Sequence, residues 1–294
     1  KQVTPYGSAA GSAPAGGTSN ARPGTPTETP AATPELMLST LSVYQSGAVL
    51  VSVTGAVSSG SVSFLGRTFP LTKGAKSMYT FAGVDTDDPV GAAPIKVDFL
   101  TPNGSKGTLS DTVTVMQTPW TVDSLEFSDE TSQLLDPKIV NDEYALLHSI
   151  YTQVTPEKYW RGDWLVPVDG PITARYGEQR SINGGPASGH HGGTDLGVPK
   201  GTPVHATNAG KVVLARKLNV RGNMVIIDHG GGLFSGYAHF SAFNVTEGQM
   251  VNKGDILGMS GDTGLVTGPH LHWEMAIDGI FLDALRFTDG SNGF

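Results

Sequence analysis

The run His270-Leu271-His272 constrains this chain more than any other segment. On a β-strand an H-x-H run places both imidazoles on one face, because strand side chains alternate with period two. Upstream, His191-Gly192-Gly193-Thr194-Asp195 offers another imidazole and a carboxylate. Residues four apart on a regular strand stand roughly 13 Å apart, too far to share one ion. Two intervening glycines also disfavour a helix. A tight loop or bulge is expected there, with Gly192 and Gly193 taking unusual backbone angles. The chain has no cysteine, which excludes thiolate ligands. A His2Asp set with one open position is the donor set of a catalytic first-row metal and points to Zn2+.

Further segments stand in a fixed order around these two. They are PVDGPITARYGEQR (167–180), HGGTDLGVPKGTPVHATNAGKVV (191–213), GNMVIIDHGGGLFSGYAHF (222–240), VNKGDILGMSGDTG (251–264) and TGPHLHWE (267–274). From about Trp160 to the C-terminus the chain resembles the lysostaphin-type (LytM-like) zinc endopeptidases, which cut peptide cross-links in bacterial cell walls. The resemblance implies a zinc metallo-endopeptidase acting on peptidoglycan stem peptides or cross-bridges, secreted or held in the cell envelope. It also implies an antiparallel β-sheet for this part of the chain.

The same resemblance assigns roles residue by residue. His191, Asp195 and His272 match the metal ligands, and His239 and His270 match two catalytic histidines outside the ligand set. The chemistry needs such groups, because something must accept a proton from water and deliver one to the leaving amine. No H-E-x-x-H run supplies a glutamate for this, and a histidine pKa near 6.5 suits it. His190 competes with His191, but the downstream frame fixes His191 as the match and leaves His190 at the rim. Asn223, Tyr176, Arg180 and Arg175 are candidates for the substrate groove. His205 and His229 have no matched role and read as structural or surface residues. Glu274 shares a strand face with His272 and either orients it or is solvated, with solvation the favoured expectation. Asp283-Ala284 stands where the family often has Asp-Pro.

The remaining chain divides by composition. Residues 1–35 are rich in Ala, Gly, Ser, Thr and Pro and cannot bury a core, so a disordered leader or tether is expected. Residues 36–118 hold short β runs at 48–55, 61–66, 77–83, 93–100 and 111–118, which predict an immunoglobulin-like sandwich serving as spacer, cover or wall-binding module. Residues 119–160 read as a connector. Within it Asp136-Pro137 is an N-cap followed by proline, and 138–153 has helical spacing. His148 lies there as a packed or surface residue. Residues 161–294 form the expected peptidase domain, with strands at 202–206, 211–216, 223–228, 234–239, 256–259 and 271–277. The fold class is therefore mainly β.

Charge bounds the partners. The net charge is −8, which argues against nucleic acid. Residues 160–294 carry 10 basic against 12 acidic side chains and so present no basic face. No apolar run reaches the roughly 18–20 residues of a membrane span. Starting at Lys1 without a signal peptide, the chain reads as the mature form of an exported protein or as a trimmed one. Two other readings fit less of the pattern. One is a non-catalytic exported protein that binds the wall or activates another hydrolase. The other is a zinc peptidase with a non-wall peptide substrate. D-Ala–diaminopimelate, D-Ala–Gly and Gly–Gly links are all open as the bond cut.

Overall fold

Alternation of buried and exposed residues is clearest in the strand Gly91–Leu100, where every second side chain from Ala93 to Phe99 is buried. That is the pattern of a strand with one face on a core and one in water. A computed structural model describes residues 32–292. The expected leader lies outside the described residues as far as Ala31, and Glu35 already opens a strand, Glu35–Leu38. Between Glu35 and Met116 two sheets stack. One runs Glu35–Leu38, Ala48–Thr54, Met78–Gly83, Thr72–Lys73, and the other Ser42–Tyr44, Lys106–Met116, Gly91–Leu100, Ser59–Phe64, Arg67–Pro70. Val51, Val62, Phe81, Ile95 and Val113 are fully buried between them.

The helix Pro137–Tyr151 begins as its sequence suggests. The Asp136 carboxylate accepts a hydrogen bond from the Lys138 N–H at 2.8 Å, and Pro137 takes the first helical position. His148 lies on its exposed side. The rest of the connector differs from expectation. Val122–Leu125 is a strand, paired in parallel with Gln179–Ile182, which in turn pairs with Ser188–His190.

The largest sheet has eight strands, all antiparallel. Its order is Ile172–Ala174, Thr194–Leu196, Leu271–Ile277, Leu233–Phe240, Asn223–Gly230, Gly210–Lys217, Met250–Val251, with Ile280–Leu282 also paired to Leu271–Ile277. Every side chain of Leu233–Phe240 and Leu271–Ile277 is buried. These central strands are covered on both faces, so they carry the polar groups that the site needs in a water-poor setting. The apolar core continues into the sandwich through Phe81, Trp160, Trp164 and Phe287, whose successive ring centroids stand 5.7, 5.8 and 5.6 Å apart. No helix among the described residues is long and apolar enough to cross a membrane.

His229 shows that one unmatched histidine is a core residue. Its Nδ1 lies 2.7 Å from the Ala209 carbonyl and its Nε2 2.7 Å from Ser235 Oγ, with no solvent exposure. Burial holds its pKa at about 4, below the ordinary 6.5. The stability that comes from the neutral ring is therefore complete above about pH 6.5 and is lost as the pH falls towards 4. Between pH 7 and 5 the loss amounts to about 2 kcal/mol. In thermal melts at these two pH values, His229→Gln is expected to show a smaller acid-induced drop than the parent. Equal drops would show that His229 titrates normally.

Candidate metal centre

The sheet register builds the site. Asp195 on Thr194–Leu196 stands directly across from His272 on Leu271–Ile277, and facing residues on antiparallel strands bring their side chains within contact. His272 Nδ1 lies 2.7 Å from Asp195 Oδ1. His191, in the loop just before Asp195, brings Nε2 to 3.1 Å from the same oxygen and 3.0 Å from His272 Nδ1. Neither Gly192 nor Gly193 has a positive φ. Gly193 is required for a different reason. A Cβ there would stand 2.8 Å from the His272 ring and 2.6 Å from the Trp273 carbonyl, so only a bare Cα lets the loop pass.

The outer ring nitrogens fix the tautomers. His191 Nδ1 lies 2.9 Å from the Arg175 carbonyl, and His272 Nε2 lies 2.9 Å from Glu274 Oε1. Both must donate there, because a carbonyl and a carboxylate only accept. The inner nitrogens then turn two lone pairs and the Asp195 oxygen onto one point. Such a convergence calls for a cation. Burial opposes charge on His272, yet Asp195 and Glu274, one at each ring nitrogen, raise its pKa. Burial also opposes ionisation of Asp195, but His191 and His272 hold its carboxyl well below the usual range. The donors thus fit a metal ion, which would replace the proton that this cluster otherwise attracts.

The second pair of histidines flanks this set. The ring centroids of His239 and His270 stand 4.8 Å apart, and those of His239 and His272 5.8 Å. His239 Nδ1 donates to the Thr263 carbonyl at 2.7 Å, and His270 Nδ1 to the Gly268 carbonyl at 2.9 Å. Each therefore keeps an Nε2 lone pair for other work, and His270 Nε2 lies 3.7 Å from Asp195 Oδ1. Burial pushes the pKa of His239 well down and that of His270 down, so both rings are neutral near pH 7. His239 has φ +65°, the left-handed region that side chains rarely adopt. A register shift between Asn223 and Val225 in the facing strand accompanies it. Bulges of this kind re-aim side chains, and such strain persists where the surrounding structure enforces it.

These residues face a cleft of about 370 Å³. Arg180 lines it, with Nη1 3.1 Å from Asp123 Oδ2 and Nη2 3.4 Å from Asp195 Oδ2. His190 sits at its edge against Trp120, with a ring separation of 5.4 Å. Tyr176 and Asn223 are not on the wall of this cleft. The Tyr176 hydroxyl donates to the Phe281 carbonyl at 2.6 Å, and the Asn223 amide to the Phe240 carbonyl at 2.9 Å, so both are turned to backbone instead. Arg175 contributes its carbonyl, to His191. His205 binds the Gly254 carbonyl through Nδ1.

Glu274 is not solvated. It is fully buried, and its Oε1 accepts from His272 Nε2 and from Arg221 Nε at 2.7 Å while its Oε2 accepts from the Tyr151 hydroxyl at 2.8 Å. The end of the connector helix closes over this strand and removes the water. Burial would raise the Glu274 pKa, but Arg221 and His272 hold it at about 2. The sequence reading also missed Glu143. Its carboxylate accepts from the N–H groups of Asn219, Val220 and Arg221 at 2.7–2.8 Å and so fastens a loop that lines the cleft. That loop meets Gly264 so closely that a Cβ there would stand 2.4 Å from the Val220 carbonyl. A buried acidic residue on the inner side of an amphipathic helix was the available signal for Glu143.

Part of the chain is similar to known proteins. Residues 189–284 match Peptidase family M23. Over 96 residues the chain is 44% identical to peptidoglycan DD-endopeptidase ShyA of Vibrio cholerae, a match that covers 33% of this chain and 22% of that protein. The chain therefore spans less than a quarter of this relative's length. It is 33% identical to the catalytic domain of the antimicrobial peptidase lysostaphin from Staphylococcus simulans, covering 44% of this chain and 92% of that one with a TM-score of 0.33. A crystal structure from Pseudomonas aeruginosa assigned to peptidase M23 covers 83% of this chain and 94% of its own, at 25% identity and a TM-score of 0.61. Its coverage extends well beyond the matched segment. The matched segment, residues 189–284, is thus a peptidase M23 domain, of a family of metallopeptidases.

Proposed function

We propose that this chain is an exported, zinc-dependent metallo-endopeptidase of the bacterial cell envelope that hydrolyses peptide bonds in peptidoglycan stems or cross-bridges. One observation carries the reading. Two neutral imidazoles, His239 and His270, hold free Nε2 atoms beside a convergent His191/Asp195/His272 donor set in an open cleft. His191, Asp195 and His272 would hold a zinc ion, which would supply Lewis-acid polarisation of a carbonyl and a water nucleophile near neutral pH. His270 Nε2 accepts the proton released in the attack. Asp195, 3.7 Å away, stabilises the imidazolium that results. The same nitrogen returns the proton to the leaving amine. His239, deeper and with its Nδ1–H held by Thr263, keeps its Nε2 lone pair to accept a hydrogen bond from the attacking water or the leaving amine. The envelope assignment rests on the peptidoglycan activity in the name of the V. cholerae relative.

Elemental analysis after dialysis against metal-free buffer is expected to find about one zinc per chain. Chelation should abolish release of peptide fragments from defined peptidoglycan, and added Zn2+ should restore it. Mass spectrometry of the fragments names the bond. Absence of any transition metal, with no fragments after Zn2+ is supplied, would sink the proposal.

A further inference from the structure

The wall of the cleft that faces Arg180 comes from outside the matched segment. Val122–Leu125 pairs in parallel with Gln179–Ile182, with Asp123 opposite Arg180 and Leu125 opposite Ile182. Backbone bonds continue the seam at both ends, from Gln179 N to the Thr121 carbonyl and from Asn183 N to the Leu125 carbonyl. The Phe127 N–H donates to Asn183 Oδ1 at 2.8 Å. Along Val122–Phe127, exposed and half-buried residues alternate strictly. The half-buried set, Asp123, Leu125 and Phe127, lines the cleft together with Ile182.

This wall separates into two parts. Arg180 is bracketed by the Asp123 and Asp195 carboxylates, so its charge is already matched on both sides. Leu125, Phe127 and Ile182 then leave an apolar surface next to the five candidate site residues. A charged substrate group set there would lose water without gaining a partner. An alkyl group set there would bury apolar area.

We infer that Leu125 and Phe127, with Ile182, form the shelf that seats an uncharged alkyl side chain of the bound peptide, and that Val122–Phe127 is therefore part of the substrate site. Asp123 is a positioning residue. It holds Arg180 to the metal-centre side and keeps the shelf free of charge. The inference rests on the peptidase reading for its substrate class, but its geometry stands apart from the metal.

Two synthetic peptides that differ only by alanine or glycine at one residue flanking the scissile bond test the shelf. Binding is measured by calorimetry on the full chain carrying His270→Ala, and turnover on the full chain without it. The parent is expected to favour the alanine peptide, since one methyl group in an apolar site is worth roughly 10-fold or more. Leu125→Ala combined with Phe127→Ala should weaken alanine-peptide binding about 10-fold, towards the glycine value, and leave the glycine peptide unchanged. In turnover the loss should appear in KM and not in kcat. Phe127→Leu, which keeps an apolar contact, should retain most of the preference. Zinc content and melting temperature are expected to match the parent, because both side chains are half-exposed. Normal cleavage with the preference intact in the double variant overturns the shelf and leaves the peptidase reading standing. The expected binding pattern without any turnover by the parent keeps the shelf and removes the peptidase reading. Failure of the parent to bind either peptide overturns the shelf as well.

Discussion

Replacing His272 with alanine is expected to remove both the metal and the activity, whereas replacing His239 or His270 leaves about one zinc per chain and an enzyme slowed roughly 10²–10⁴-fold. The three rings are chemically alike and lie within one cluster, so the contrast tests the assignment of roles. His272 presents Nδ1 to the point where His191 Nε2 and Asp195 Oδ1 converge, at 3.0 and 2.7 Å. Its loss leaves two protein donors where a catalytic zinc site uses three. His239 and His270 hold their Nδ1 atoms on backbone carbonyls and turn Nε2 towards the cleft without joining the convergent set. Their loss removes proton transfer and not metal binding. Zinc content and turnover of the three variants, measured side by side, decide the matter. Zinc loss in the His239 variant, or near-parental turnover in the His270 variant, would mean that the rings have been given the wrong roles.

The centre was legible through the family resemblance, whose ordered motifs tie Asp195 to His272 across 77 residues. Register then assembles the donors, with Asp195 directly opposite His272, while His270 stands just before the strand in a bridge to Gly261. Helix Pro137–Tyr151 announced itself through Asp136 and Pro137, and Gly91–Leu100 through its period of two. What could not be read was long-range pairing with residues outside those motifs. Glu143 meets a loop 76–78 residues away, Tyr151 meets Glu274 across 123, and Asp123 reaches Arg180 through a parallel strand pair that no turn signals. The strand Val122–Leu125 was hidden by its chemistry. Asp, Ser and Glu break the apolar alternation that marks a strand, and the cleft it faces uses polar and apolar residues together. The backbone of His239 was equally hidden, since nothing in Gly-Tyr-Ala-His-Phe announces a positive φ at histidine. The segment that read only as a connector thus supplies the loop clamp, the cover of Glu274 and one wall of the cleft.

Glu274 gives the second large effect, and it couples stability to metal binding. The carboxylate is fully buried with three donors on it: His272 Nε2, Arg221 Nε and the Tyr151 hydroxyl. Removing one partner of a buried ion pair leaves the other charge without compensation and costs about 3–5 kcal/mol. Glu274→Ala leaves Arg221 in that position and frees the His272 ring to rotate or change tautomer. Metal affinity is then expected to fall about 10–100-fold, the usual effect of losing a group that orients a ligand histidine. Glu274→Gln keeps the shape and one acceptor, so its melting temperature should lie between parent and alanine variant. With its folded pKa at about 2 against an ordinary 4.5, Glu274 contributes fully above about pH 4.5 and loses that contribution as the pH falls towards 2. The parent and the variants should therefore differ most near neutrality and converge in acid. Thermal melts across this range, with a zinc titration against a competing chelator at pH 7, read both halves of the effect. An alanine variant that melts with the parent and holds zinc as tightly would show that Arg221 and His272 are positioned by packing alone, and that the buried carboxylate supports neither.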